Sequence, residues 1–182
     1  MKFTYMKTPL NRYTFKSKKL RIWVENHVEG KVLNLFAGKT KLNCDEVRND
    51  LDPLMPAEYH RDALEFCKSW SGPKFDTVLV DPPYSFRKSM EMYNGKKQSP
   101  FNATKDAIVG ILNPNGIVMT FGYSSNVMGA VRGFRQEHLL VLSHSGAIHD
   151  TLCIIERHYI DKGVLKSKWA TTLMEGVKCH PK

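Results

Sequence analysis

A short apolar run followed at once by Asp-Pro-Pro-Tyr is the feature that most constrains the fold of this chain. Residues 75–80, Phe-Asp-Thr-Val-Leu-Val, have the composition of a buried parallel strand. Asp81 comes directly after it, and ligands of open α/β sheets bind beyond the carboxyl ends of such strands. Pro82 and Pro83 fix two successive φ angles, and Tyr84 adds an aromatic ring. The four residues therefore predict rigid acceptors beside a stacking surface, which suits a planar base with an exocyclic amine.

Strands and helices alternate along the rest of the sequence. Apolar runs predict strands at residues 31–36, 46–50, 117–121, 139–142 and 152–155. Helical patterns cover residues 20–28, 62–70, 103–112 and 126–134. A Ser-Gly-Ala turn at 145–147 joins the last two strands and favours an antiparallel hairpin. This order predicts an α/β fold with a mostly parallel sheet, helices on both faces and a terminal hairpin.

Length and charge limit the organisation of the chain and its partners. The 182 residues fit one domain, which we expect at 1–160, with a basic N-terminal segment at 1–19 and a basic tail at 161–182. The formal charge of +9 predicts a polyanionic partner, most simply nucleic acid. No membrane partner is expected, because no apolar stretch is long enough to span a bilayer. The scattered cysteines and the polar N-terminus favour a cytoplasmic protein.

The glycine turn after the predicted strand at 31–36 does not form a triphosphate-binding loop. Ala37-Gly38-Lys39-Thr40 ends like such a loop, but Leu33 stands where that motif requires a glycine. The histidines and cysteines near the C-terminus have no spacing typical of zinc ligands, so no metal is predicted.

The order of motifs resembles a known family. Asn34-Leu35-Phe36-Ala37-Gly38 is followed by Asp50, then Asp62-Ala63, then Asp81-Pro82-Pro83-Tyr84. This series is similar to that of class I S-adenosylmethionine-dependent methyltransferases, and more narrowly to DNA methyltransferases that modify adenine N6. The resemblance covers residues 15 to about 158. It implies a Rossmann-like fold with a seven-stranded sheet, and S-adenosylmethionine as the cofactor.

The resemblance also implies which residues bind the cofactor. Asp50 would accept the ribose hydroxyls, with Asp52 as a competitor for that role. Asp62 would accept the amino group of the cofactor adenine, although a plain helix cap is an equally natural role for it. The family usually has an acid at the position of Asn34 and a second glycine at that of Thr40. The full expected set is Asn34, Phe36, Gly38, Thr40, Asp50, Leu51, Asp62 and Ala63.

Catalysis and substrate binding follow from the same resemblance. Asp81 and the Pro82 carbonyl would accept the hydrogens of the target amine, beside Pro83, and Tyr84 would stack on a base flipped out of the duplex. The long loop that follows would contact DNA through Arg87, Lys88, Tyr93, Lys96 and Lys97. No separate recognition domain is visible, so a partner protein or a homodimer is expected to supply sequence recognition.

Several alternatives remain open. An RNA methyltransferase of the same fold is the nearest, and N4 of cytosine is a second target amine. A protein-glutamine methyltransferase is less favoured, because that group typically has Asn where this chain has Asp81. A non-catalytic nucleic-acid-binding subunit is the alternative from a different functional class.

Overall fold

A seven-stranded sheet forms the centre of the protein in the computed structural model, which describes residues 1–9, 11, 13–82, 100–125, 127–144 and 149–159. The strands are β1 (Lys2–Lys7), β2 (Val32–Asn34), β3 (Glu46–Arg48), β4 (Phe75–Val80), β5 (Leu112–Gly122), β6 (Phe134–Ser143) and β7 (Thr151–His158). The helices are α1 (Lys18–Glu25), α2 (Ala63–Ser69) and α3 (Phe101–Ile111). Two short 3₁₀ turns lie at Thr14–Lys16 and Ala130–Arg132.

The strands lie in the order β1-β6-β7-β5-β4-β2-β3. Only β7 runs against its neighbours, β5 and β6, and the other neighbouring strands are parallel. This arrangement confirms the predicted mostly parallel sheet with a terminal antiparallel hairpin. The register pairs Asn34 with Leu79 and Val80 with Thr120, so the carboxyl ends of β2, β4 and β5 meet at one edge of the sheet.

Helices cover both faces of the sheet because its central strands are apolar on both sides. Val32 and Leu33 are adjacent in β2, fully buried, and point to opposite faces. Val32 packs in a cluster that includes Leu20 of α1, whereas Leu33 belongs to a second cluster that includes Phe66 of α2. Such continuous apolar strands are typical of parallel sheets with both faces covered.

Strand β1 was not expected from the local sequence pattern. The basic segment 1–19 shows no clear periodicity, yet residues 2–7 pair in parallel with β6, from Lys2 opposite His138 to Lys7 opposite Ser143. An edge strand with one solvent-facing side needs few apolar residues, and its partner lies far away in sequence. The N-terminal segment is therefore part of the sheet.

The predicted helix at 126–134 is wrong. The described residues there form a turn and the 3₁₀ segment Ala130–Arg132. The main-chain N–H groups of Met128 and Gly129 donate to the carboxylate of Glu156 on β7, which fixes the turn in a non-helical path. The predicted cap of α2 is confirmed, because Asp62 Oδ1 accepts from the N–H groups of Leu64 at 3.0 Å and Glu65 at 3.4 Å. None of the helices in the described part of the chain is long and apolar enough to cross a membrane.

Two glycines provide a direct test of these backbone contacts. Gly30 has φ +51°, and a Cβ there would overlap the carboxylate of Asp76, which accepts the Lys31 N–H at 2.8 Å. Gly110 lies inside α3, and a Cβ added there would meet no atom within 4 Å. We expect Gly30→Ala to lower the free energy of unfolding by about 2 kcal/mol or more, and Gly110→Ala to raise it by about 0.5–1 kcal/mol. Urea unfolding of both variants measures this contrast, and equal shifts would contradict it.

Candidate functional site

A row of buried charged side chains on β3 and the residues just after it supports the loop that follows β2. Glu46, Arg48 and Asp50 alternate along the chain, so their side chains point to the same face. The Glu46 carboxylate accepts from Asn34 Nδ2 at 2.8 Å and from the Leu42 N–H at 2.9 Å. It thereby fixes both ends of the loop.

Arg48 holds the main chain of the glycine turn. Its Nη2 donates to the carbonyl of Gly38 at 3.0 Å and lies 3.4 Å from that of Ala37. Its Nη1 donates to the carbonyl of Pro56, and its Nε lies 3.6 Å from Glu46 Oε1. This one guanidinium joins the glycine turn to the segment that follows β3.

Asp50 completes the support from the same side. Its Oδ2 accepts from the Gly38 N–H at 2.8 Å, and its Oδ1 accepts from the Asp52 N–H at 2.9 Å. Burial raises the pKa of Asp50, and these two hydrogen bonds oppose that rise. Gly38 has φ +55°, and a Cβ there would lie 3.2 Å from the ring of Tyr13, so this turn strongly favours glycine.

Asn34 stands where the resembled family usually has an acid. Its amide nitrogen donates at 2.8 Å to a carboxylate oxygen of Glu46, which also lies 3.6 Å from Arg48 Nε, so the carboxylate at this position comes from the neighbouring strand and is paired. Its Oδ1 is buried and has no hydrogen-bond partner among the described residues. An unsatisfied acceptor in the protein interior is costly.

A cavity of about 360 Å³ opens at the carboxyl edge of the sheet. Five of the predicted site residues lie in its wall: Phe36, Leu51, Asp62, Ala63 and Pro82. Asn34, Gly38, Thr40 and Asp50 are outside that wall, on the loop and strand that adjoin it. Asp81 directly precedes Pro82 and is half-buried. Pro83, Tyr84, Arg87, Lys88, Tyr93, Lys96 and Lys97 lie outside the described residues.

The opposite wall contains a buried cation that was not predicted from the sequence. Lys105 of α3 is only 8% exposed, and its Nζ donates to the Val127 carbonyl at 2.9 Å. The same nitrogen lies 5.2 Å from the ring centroid of Phe101, and both Phe101 and Val127 line the cavity. Burial lowers the pKa of Lys105. Lys105 therefore ties α3 to the turn after β5.

Two further side chains hold that turn. Glu156 of β7 is fully buried and accepts from the N–H groups of Met128 at 2.7 Å and Gly129 at 3.1 Å. Arg132 donates to the Met128 carbonyl at 2.9 Å and pairs with Asp106 of α3 at 2.6 Å. Lys105, Glu156 and Arg132 thus fix the turn 127–129, which we call the β5 turn, from three different elements.

Removing the charge of Glu156 tests this support. Glu156→Gln keeps one oxygen acceptor but turns an amide N–H₂ toward a buried main-chain donor. We expect it to lower the free energy of unfolding by about 1–3 kcal/mol, the cost of a buried unsatisfied group. The control is Glu137→Gln, in a partly exposed pair with Arg157 at 2.8 Å, for which we expect about 1 kcal/mol or less. Equal losses in urea unfolding would show that the β5 turn does not depend on Glu156.

No protein-family model matches the sequence, and no curated protein sequence matches it. Solved structures are similar in fold. The chain superposes on TrmN from Thermus thermophilus with a TM-score of 0.53 at 15% identity, covering 77% of this chain and 47% of that one. It superposes on the N-methyltransferase NodS from Bradyrhizobium japonicum with a TM-score of 0.53 at 15% identity, covering 82% of this chain and 99% of NodS.

A third similar structure contains a bound product of methyl transfer. It is the 1,6-didemethyltoxoflavin-N1-methyltransferase from Burkholderia thailandensis in complex with S-adenosylhomocysteine. The superposition has a TM-score of 0.55 at 12% identity and covers 78% of this chain and 77% of that enzyme. The present chain spans about half the length of the TrmN chain. At these identities the likeness concerns the fold alone. The chain has the Rossmann-like fold of class I methyltransferases.

Proposed function

We propose that this protein transfers a methyl group from S-adenosylmethionine to the exocyclic N6 amine of adenine in DNA. The observation that carries the proposal is the position of Asp81 and Pro82 at the end of β4. Pro82 lies in the wall of the same cavity as Leu51, Asp62 and Ala63, the residues expected to surround the cofactor adenine. One cavity therefore adjoins the acceptor pair and the expected cofactor site.

The residues of the glycine loop fit S-adenosylmethionine. Gly38 keeps the main chain free of a side chain at the closest approach, and the apolar surfaces of Leu51 and Ala63 suit the faces of an adenine ring. Asp50 retains lone pairs for the ribose hydroxyls beyond its two main-chain bonds. When bound, the cofactor supplies an electrophilic methyl group on a positively charged sulfur.

The acceptors at the end of β4 match what methylation of an aromatic amine requires. The lone pair of adenine N6 is delocalised into the ring, which makes the nitrogen a weak nucleophile. The Asp81 carboxylate and the Pro82 carbonyl would accept its two hydrogens and favour a pyramidal nitrogen. Positive charge develops on that nitrogen during transfer, and a fixed carboxylate and carbonyl dipole stabilise it. Orientation and electrostatics therefore carry the reaction, without a strong base.

DNA as the substrate is supported by the charge of the chain, and nitrogen as the methyl acceptor agrees with similar proteins. The net charge of +9 favours a polyanion. NodS and the toxoflavin enzyme are both N-methyltransferases, which agrees with nitrogen as the methyl acceptor. Stacking by Tyr84, base flipping and phosphate contacts through 87–97 belong to the proposal as expectations. A partner protein or a second copy would supply sequence recognition.

Replacing Asp81 tests the chemical step. We expect Asp81→Ala to abolish methyl transfer and to leave S-adenosylmethionine affinity within about twofold, because the partner of Asp81 is the target amine. Asp81→Asn keeps an oxygen acceptor but loses the charge that faces the developing cation, so its rate should fall by about 10²–10³, the typical loss of one transition-state contact. Glu65→Ala, which removes an exposed acid of α2, is the control and should leave both quantities unchanged.

The readout is the modified nucleoside after digestion of treated DNA, identified by mass spectrometry. N6-methyladenine in DNA is the expected product. Finding N4-methylcytosine would support a DNA amino-methyltransferase but contradict adenine as its target. Finding methylated RNA or methylated protein alone would contradict DNA as the substrate. A folded wild-type protein that binds nucleic acid but no cofactor would support the non-catalytic alternative.

A further inference from the structure

The first 24 residues contain an unusual concentration of positive charge that the proposed reaction does not use. They contain seven lysines and arginines and no aspartate or glutamate, whereas the whole chain has 27 cations and 18 acids. The seven cations are Lys2, Lys7, Arg12, Lys16, Lys18, Lys19 and Arg21. This segment therefore carries most of the net charge.

The edge strand β1 places aromatic rings among these charges. Thr4 and Met6 face the body of the protein, because Thr4 Oγ1 lies 2.8 Å from His138 Nε2 and Met6 packs against the buried cluster next to α1. Strand alternation directs Phe3, Tyr5 and Lys7 to the opposite face. Phe3 is 64% and Tyr5 53% exposed, and neither ring has a partner among the described residues. Their side chains lie about 7 Å apart along the strand.

The end of β1 adjoins the start of α1. Thr8 Oγ1 donates to Ser17 Oγ at 2.7 Å, and Ser17 accepts from the Leu20 N–H as the cap of α1. The exposed cations Lys16, Lys18 and Lys19 therefore lie near the carboxyl end of β1, on the side where Met6 packs against α1. Lys2 lies on that same side, with Thr4 and Met6. We call Phe3, Tyr5 and Lys7, which share the other face of β1, the N-terminal surface.

The N-terminal surface shares an edge of the sheet with Asp81. Strands β1 and β4 point in the same direction, so their carboxyl ends lie on the same side. They are separated by β6, β7 and β5, which makes four inter-strand spacings, or about 19 Å. A DNA strand advances about 3.4 Å per stacked nucleotide. Roughly six nucleotides therefore link the cavity to the N-terminal surface.

We propose that the N-terminal surface binds an unpaired DNA strand, with bases stacked on Phe3 and Tyr5 and a phosphate paired with Lys7. Exposed rings beside a cation are the combination by which proteins hold single strands. In duplex DNA the base faces are already stacked, so these rings would contribute little. The choice of DNA rests on the proposed function, whereas the binding itself requires no methyl transfer.

The aromatic part is tested by fluorescence anisotropy with a labelled 20-nucleotide single strand and the matching duplex. Phe3→Ala/Tyr5→Ala should weaken binding of the single strand at least tenfold and that of the duplex less than threefold. The control is Leu54→Ala/Val131→Ala, which removes two apolar side chains that are 84% and 92% exposed elsewhere. Unchanged single-strand affinity in the test variant, or an equal loss in the control, would overturn the proposal.

The electrostatic part is tested by the salt dependence of the same binding. Lys7→Gln should reduce the slope of log K against log salt by about 0.7, the contribution of one single-strand phosphate contact. The control is Lys2→Gln, which removes an exposed lysine from the opposite face of the same strand and should reduce the slope by less than half of that. Equal reductions would indicate diffuse attraction and overturn the proposal.

Further outcomes separate the possible occupants. Tighter binding of RNA than of DNA of the same sequence would overturn the choice of DNA. A dimer detected by light scattering that dissociates in Phe3→Ala/Tyr5→Ala, with unchanged DNA affinity, would assign the surface to a second copy. If Phe3→Ala/Tyr5→Ala loses single-strand binding but the wild type methylates no DNA, the N-terminal surface is supported as a binding site. The proposed function is then contradicted. If the wild type methylates DNA and Phe3→Ala/Tyr5→Ala leaves the KM for single strands unchanged, the proposed function stands and the proposal for the N-terminal surface is contradicted.

Discussion

The alternation of three charged side chains on β3 and just after it is the constraint on which the site depends. Glu46, Arg48 and Asp50 are all buried, and buried charges are tolerated only when they are paired or hydrogen-bonded. Their partners are mainly main-chain groups of the loop after β2. The loop therefore cannot move away without leaving charges unsatisfied in the protein interior. The main chain of the glycine turn is therefore held in one position.

A second polar cluster fixes the other side of the cavity in the same manner. Lys105, Glu156 and Arg132 bond to three successive residues of the β5 turn. The two clusters belong to different strands and helices, so both walls are defined before any ligand enters. A site that is formed in advance loses less conformational entropy on binding. Such fixed geometry is what a reaction dominated by orientation requires.

The sequence predicted those features that arise from local patterns. Continuous apolar strands, their alternation with helices and the cap at Asp62 are all encoded within a few residues, and the structure contains each of them. Strand β1 was missed because an edge strand is stabilised by pairing with β6, about 136 residues away. The helix predicted at 126–134 failed because contacts to Glu156, 27 or 28 residues away, override local propensity.

The candidate site was predictable to a similar extent. Phe36, Leu51, Asp62, Ala63 and Pro82 were expected at a ligand site and line one cavity. Lys105 was not, because its partner Val127 is 22 residues away and no local pattern marks the contact. A period of two in Glu46, Arg48 and Asp50 was visible in the sequence and could have indicated one polar strand face.

Calorimetric titration with S-adenosylmethionine tests most directly the claim that Glu46, Arg48 and Asp50 hold the loop of a cofactor site. Wild-type protein should bind one cofactor per chain. Arg48→Lys keeps the positive charge but cannot span the carbonyls of Ala37, Gly38 and Pro56 together. We expect this variant, shown to be folded by circular dichroism, to bind the cofactor at least tenfold more weakly. Absence of binding to the wild type, or equal affinity in the folded variant, would contradict the claim.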